Sequence, residues 1–167
     1  MELDYREITD MTAVRSLLPM LKRNLRLTGD DQDAVLVEKL LAALADSGHY
    51  IGGPCVATDM VATGTIPSSG IQTVVLRGPV LSLASVVLGG EDVTENCTMD
   101  GNTLSLPTAD AGTTLTVTYR AGWCPIPPDM AAAVILRASS LYSNPLDSVE
   151  TLTKASSNLL RHYRWRQ

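Results

Sequence analysis

From Thr114 to Arg120 the chain alternates. Leu115, Val117 and Tyr119 are separated by Thr114, Thr116, Thr118 and Arg120, the period-two pattern of a strand with one buried and one wetter face. Ala121-Gly122 ends it, because glycine reaches backbone angles that a Cβ resists. Pro127 and Pro128 then pre-set a first helical turn, where a missing N–H costs nothing, and Asp129 sits where the helix dipole favours an anion. Between Met130 and Tyr142 the sole charge is Arg137. A helix this apolar all round is covered on more than one side, by its own fold or by a neighbouring subunit. Met130, Val134, Ile135, Ala138 and Leu141 are therefore expected to divide between the domain core and a subunit–subunit contact.

The remaining pattern falls into zones. Residues 11–51 read as helical: Leu17, Leu18, Leu21 and Leu25 form one stripe, and Val37, Leu40, Leu41 and Leu44 a second, with Thr28-Gly29 between them and Asp30 or Asp31 as the expected cap. Gly48 or Gly52-Gly53 ends the second helix. Residues 53–70, rich in Gly, Thr, Ser and Ala with weak alternation, read as a long projecting loop or β-hairpin. Residues 71–120 read as a β-meander with strands at 71–77, 80–88, 97–99, 103–106 and 113–120, turning at Gly89-Gly90 and Asp100-Gly101-Asn102. Residues 127–160 are helical again. Asn144-Pro145 closes the apolar helix, Asp147 and Glu150 resemble a capping box, and Leu152, Ala155, Leu159 and Tyr163 share a face of the last helix. The expected fold is α+β: a small helical domain of about four helices with an inserted antiparallel β-meander/hairpin region. Residues 1–167 make one domain, with a C-terminal arm at 161–167.

Composition narrows the function. With 167 residues, no Phe and 4% aromatics, the chain has few of the rings that wall small-molecule pockets. A net charge of −5 opposes general nucleic-acid binding, which needs a basic stripe. Cys55, Cys97 and Cys124 are odd in number and widely spaced, which suits three small buried side chains better than a disulfide framework or a zinc site. The acidic start MELDYREITD lacks the apolar core of a signal peptide, so an intracellular protein is expected. His49 and His162 have no Cys, Asp or Glu at metal-ligand spacing. Gly89-Gly90-Glu91-Asp92 lacks the helix and lysine of a phosphate loop and reads as a turn. No metal, no cofactor and no enzymatic activity are expected.

The C-terminus stands apart. Leu159 to Gln167 holds three arginines and two aromatics in nine residues of an acidic chain. This is either a helix end whose cations match its dipole, a docking segment of hot-spot residue types, or an arm that stacks on nucleic-acid bases.

Several segments, in order, resemble the head–tail connector (adaptor) family of long-tailed bacteriophages. They are LKRNLRLTGDDQDAVLVEKLLAAL at 21–44, VVLRGPVLSLASVVLGG at 74–90, LTVTYRAGWCPIPPDMAAAVILRASSLYSNP at 115–145 and LLRHYR at 159–164, more than half of the chain. The sequence departs from the family pattern in the longer 53–70 segment and in an extra hairpin within 91–112. The resemblance implies a structural protein of the virion neck, made in the host cytoplasm. It would be a homo-oligomer, a dodecameric ring under the portal protein, extending the DNA channel and seating a stopper or tail protein, with genomic DNA passing through without specific binding. In that frame Arg161, Tyr163, Arg164, Trp165 and Arg166 are the expected portal-docking residues. The alternatives are another neck or tail protein, such as a tail terminator or head-closure protein, and a nucleic-acid-binding module acting through the basic C-terminus.

Overall fold

The structure, a computed structural model, describes residues 2–8, 10–144 and 152–164. Along the chain run β1 (Leu3–Ile8), α1 (Met11–Ser16), α2 (Leu18–Leu25), α3 (Asp33–Ile51), β2 (Thr58–Thr65), β3 (Gly70–Val75), β4 (Val80–Leu88), β5 (Glu91–Asp92), β6 (Thr98–Asp100), β7 (Thr103–Ala109), β8 (Thr114–Ala121), α4 (Pro128–Ser143) and α5 (Lys154–Leu160), with 3-10 turns at Thr94–Asn96 and Arg161–Tyr163. The fold is α+β, as the patterning predicts. Residues 1–9 with 57–122 form a β unit, and residues 10–56 with 123–167 a helical unit.

In the β unit a five-stranded sheet runs β1-β2-β8-β4-β5 and a three-stranded sheet β3-β7-β6, every pairing antiparallel. β8 is central, with β2 on one side and β4 on the other. Its alternation is realised as expected: Leu115, Val117 and Tyr119 are buried while the intervening threonines are wetter. They join Met60, Ala62 and Val86 of the same sheet and Val74, Leu104 and Leu106 of the other in one apolar cluster. Asn102 ties the two hairpin ends together. Its Oδ1 accepts from the Val80 N–H at 2.9 Å and its carbonyl from the Leu76 N–H at 2.9 Å. Gly78 is required beside it, since a Cβ there would lie 2.1 Å from the Asn102 amide nitrogen.

In the helical unit α4 lies between two clusters. Ala131, Val134, Ile135 and Ala138 pack with Val14 of α1, Leu17 at the junction of α1 and α2, Leu21 of α2, and Leu36, Leu40 and Ala43 of α3. Met130 and Ala133 pack with Ile51, Cys55 and Leu160. Coverage from two directions within one unit explains a helix without a charged face. α3 ends where expected, on Gly52 at φ 84°, with the Gly52 and Gly53 N–H groups both donating to the Gly48 carbonyl, the left-handed cap that glycine favours.

Four expectations change. The 53–70 segment is not a projecting loop. Its residues 58–65 form β2, paired along its length with β1 and β8, with Thr58, Met60 and Ala62 buried. Small inward residues and a glycine weakened its alternation, and β1, its other neighbour, is too charged to announce itself. Neither Asp30 nor Asp31 caps α3: Gln32 precedes it without a side-chain cap, and Asp30 and Asp33 instead hold Lys22 Nζ at 2.8 and 2.5 Å. α5 starts at Thr153, whose hydroxyl accepts from the Ser156 N–H, and it buries Ser156 and Leu160 while Ala155 is exposed; the Asp147/Glu150 pair lies outside the described residues. Among the cysteines Cys55 is buried, Cys97 half-buried and Cys124 exposed.

Because β2 is a central partner of β8, deleting residues 56–68 is expected to abolish the cooperative thermal unfolding transition. Met60→Ala should lower stability by about 2–5 kcal/mol, and Thr63→Val, on the wet face, should stay within about 0.5 kcal/mol of the parent; urea melts of the variants check both values.

Candidate functional site

Of the C-terminal residues singled out by the sequence, Tyr163 is built onto α4. After α5 the chain makes the 3-10 turn Arg161–Tyr163, and the Tyr163 hydroxyl donates to Asp129 Oδ1 at 2.6 Å. The same carboxylate oxygen accepts the Met130 N–H at 3.0 Å in the first turn of α4. The hydrogen bond from Tyr163, assisted by the Met130 amide, holds the Asp129 carboxyl below its ordinary range, and the bond to that anion raises the Tyr163 phenol. Trp123 meets the Tyr163 ring edge-on, centroids 5.2 Å apart at 79°. Arg164 lies over the Tyr50 ring at 5.5 Å, near enough for a cation–π contact.

Tyr163 is thus a fastening of the chain's own fold, and its ring and hydroxyl are engaged within the helical unit. Arg161, His162 and Arg164 are exposed. Trp165 and Arg166 lie outside the described residues. The five interface candidates on α4 are also inside: Met130, Val134, Ile135 and Ala138 are at most 5% exposed, and Leu141 is half-buried against the same cluster. The first four are core residues of the helical unit, packed against the first helices, α3 and α5, while Leu141 keeps part of its surface in solvent. On α4 the large apolar side chain left in solvent is Leu136.

Sequence reading passed over the Asp46–Arg137 pair. Arg137, the lone cation of α4, is 3% exposed and places Nη2 at 2.6 Å and Nε at 2.7 Å from Asp46 Oδ2 on α3. A buried guanidinium needs such a partner, since leaving it unpaired costs several kcal/mol. The signal was there: a single Arg in an uncharged helix implies an acceptor on a neighbouring one. In the β unit, Tyr5 of β1 donates to the Val75 carbonyl at 3.2 Å and carries the Arg77 guanidinium 4.4 Å above its ring. Burial raises the phenols of both Tyr5 and Tyr119, so both keep their protons at neutral pH.

Charge is divided unevenly. The β unit has nine acidic and three basic residues, a formal −6, whereas the helical unit has nine acidic and ten basic, a formal +1. An open depression beside Gly64, between Glu2 and Asp4 at the start of the chain and Thr63 and Thr65 of β2, offers carboxylates and hydroxyls. His49 and His162 are both exposed. Among the described residues no group of three or more His, Cys, Asp or Glu is placed to hold a metal, and no helix is long and apolar enough to cross a membrane.

No protein-family model matches the chain, and no curated protein matches it in sequence. Solved structures do match in fold. A chain from the neck of an empty gene transfer agent particle, computed with C6 symmetry, superposes with a TM-score of 0.76 at 21% identity, covering 100% of this chain and 97% of that one. A chain from the neck of the native particle, computed with C12 symmetry, gives 0.71 at 20% identity over the same shares. One from the virion of the native gene transfer agent particle gives 0.72 at 20%. The chain therefore shares its fold, end to end, with neck and virion chains of a gene transfer agent particle.

Removing the Tyr163 hydroxyl tests the fastening. Tyr163→Phe should lower stability by about 1 kcal/mol at neutral pH. Asp129 has a depressed folded-state value, so its contribution is present above the unfolded carboxylate value of about 3.9 and is lost as pH falls through the lower folded value. Parent and variant should accordingly converge in urea unfolding as the pH is taken down from about 4.

Proposed function

We propose that this protein is a structural component of the neck of a phage-like particle, a head–tail connector (adaptor). The observation that carries the reading is the end-to-end fold match to neck chains of the gene transfer agent particle. Those necks have sixfold and twelvefold symmetry, which supports a dodecameric homo-oligomer; a heterologous contact between identical copies closes into such a ring. In this reading the ring sits under the portal protein, extends the DNA channel and seats a stopper or tail protein. The net charge of −5 suits a wall past which DNA moves without being held. A fold with five α-helices among its described residues favours a connector over the mostly β tail-terminator and head-closure proteins.

For portal docking the reading retains the exposed Arg161 and Arg164 and the following Trp165 and Arg166. Tyr163 is reassigned to holding the turn that presents them. Planar guanidinium groups favour paired hydrogen bonds to carboxylates and carbonyls, and repetition around a ring turns a weak contact into a strong attachment.

Purified protein added to DNA-filled heads that lack it should restore tail joining. A chain ending at Arg164 keeps the Tyr163–Asp129 bond and should stay folded, yet join poorly. Heads that accept tails equally well without the protein would refute the neck role, and normal joining by the shortened chain would refute docking through residues 165–167.

A further inference from the structure

The register of the five-stranded sheet sorts the charges of the β unit. Asp4, Thr63, Thr116, Val87 and Asp92 lie in one cross-strand row, and Leu3, Gly64, Leu115, Leu88 and Glu91 in the next. Glu2 precedes Leu3 at the same end. The turn carrying Asp110 is bound there too, through Gly112 N–H to the Ile66 carbonyl and Ile66 N–H to the Thr113 carbonyl, both 2.9 Å. Glu2, Asp4, Glu91, Asp92 and Asp110 are all exposed. Asp92 is occupied by Thr94, and no cation pairs with any of the five among the described residues. The unit's arginines are elsewhere: Arg6 and Arg120 fall in rows farther along the sheet, and Arg77 is stacked on Tyr5. The open depression lies at this acidic end, between Glu2 and Asp4.

The helical unit carries the complement. Residues 11–29 contain four cations and no carboxylate. Lys22 is neutralised by Asp30 and Asp33. Arg15, Arg23 and Arg26 are exposed and have no partner among the described residues, and the exposed Met11 and Met20 stand on the same two helices.

We propose that the acidic end of the sheet, centred on the depression beside Glu2 and Asp4, is a docking surface for the unpaired arginines of residues 11–29, Arg15, Arg23 and Arg26, of a second copy of this chain. This deepens the ring reading above and rests on it. The contact joins two different patches, so each copy offers one and accepts one, the heterologous arrangement that generates rings. Guanidinium groups are suited to it because they bind carboxylates in pairs of parallel hydrogen bonds. Duplex DNA could also take up the three arginines, but it would leave the five carboxylates unmatched and meet a net-acidic chain. A second copy satisfies both patches in one contact.

Sedimentation equilibrium of the whole chain decides between them. At about 0.01 M salt, where the screening length is about 30 Å, the mass should rise with concentration above the 17.9 kDa monomer; at about 1 M, where it is about 3 Å, the monomer should return. Reversal of the cations (Arg15→Glu, Arg23→Glu, Arg26→Glu) or of the anions (Glu2→Arg, Asp4→Arg) should abolish association. Mixing the two reversed proteins should restore it as alternating copies, since the native acids of one meet the native arginines of the other and the two reversed patches match as well, which also shows that both are folded. A chain that stays monomeric at low salt, cation reversal that leaves association intact, or a mixture that does not associate would overturn the contact. So would duplex binding that cation reversal removes while the chain stays monomeric. These outcomes leave the neck role standing, because that is read from tail joining; failure of tail joining with intact salt-sensitive association would instead remove the neck role alone.

Discussion

One continuous stretch of chain organises both halves of the molecule. Residues 114–121 are the central strand of the five-stranded sheet, flanked by β2 and β4, and residues 128–143 are the helix that divides the two apolar clusters of the helical unit. Each half needs an element covered from two directions, and the same thirty or so residues supply both. That requirement explains the composition here: aliphatic residues, alanine and threonine, and a lone buried cation. Arg137 is tolerated at that depth because Asp46 on α3 meets it. The bond also fixes how α3 lies on α4, since a guanidinium held through two nitrogens resists rotation.

Legibility in the sequence follows the strength of the local pattern. β8 and α4 were readable because alternation and the prolines at 127–128 leave few other conformations. β2 was not, because Met60, Ala62 and Gly64 make a faint stripe and its partners lie at residues 3–8 and 114–121. The strand order has the same cause: pairings such as β2 with β8 join segments about fifty residues apart, and no local residue records them. α4 shows a different limit. An uncharged helix reads alike whether a neighbouring subunit or its own fold covers it, and here the coverage of Met130, Val134, Ile135 and Ala138 comes from its own unit. The C-terminal cluster mixed two roles that residue type alone does not separate. Tyr163 turns inward to Asp129, whereas Arg161 and Arg164 stay in solvent.

The interior of each unit being self-sufficient, the proposed assembly rests on surface residues. An acidic β unit and a slightly basic helical unit in one chain give unlike faces, the condition for head-to-tail association of identical copies. Electrostatic contacts of this kind set partner choice and encounter rate more than affinity. The charge pattern, the fold shared with particle necks and the exposed Arg161 and Arg164 support the role proposed above.

The central claim is that this chain is a neck component, and electron cryomicroscopy of the particle that carries it tests the claim most directly. The account predicts a closed ring of copies at the head–tail junction, each fitting the β unit and the helical unit described here, with Arg161 and Arg164 toward the portal. A neck complete without any density for this fold, or the chain absent from purified particles altogether, would contradict it.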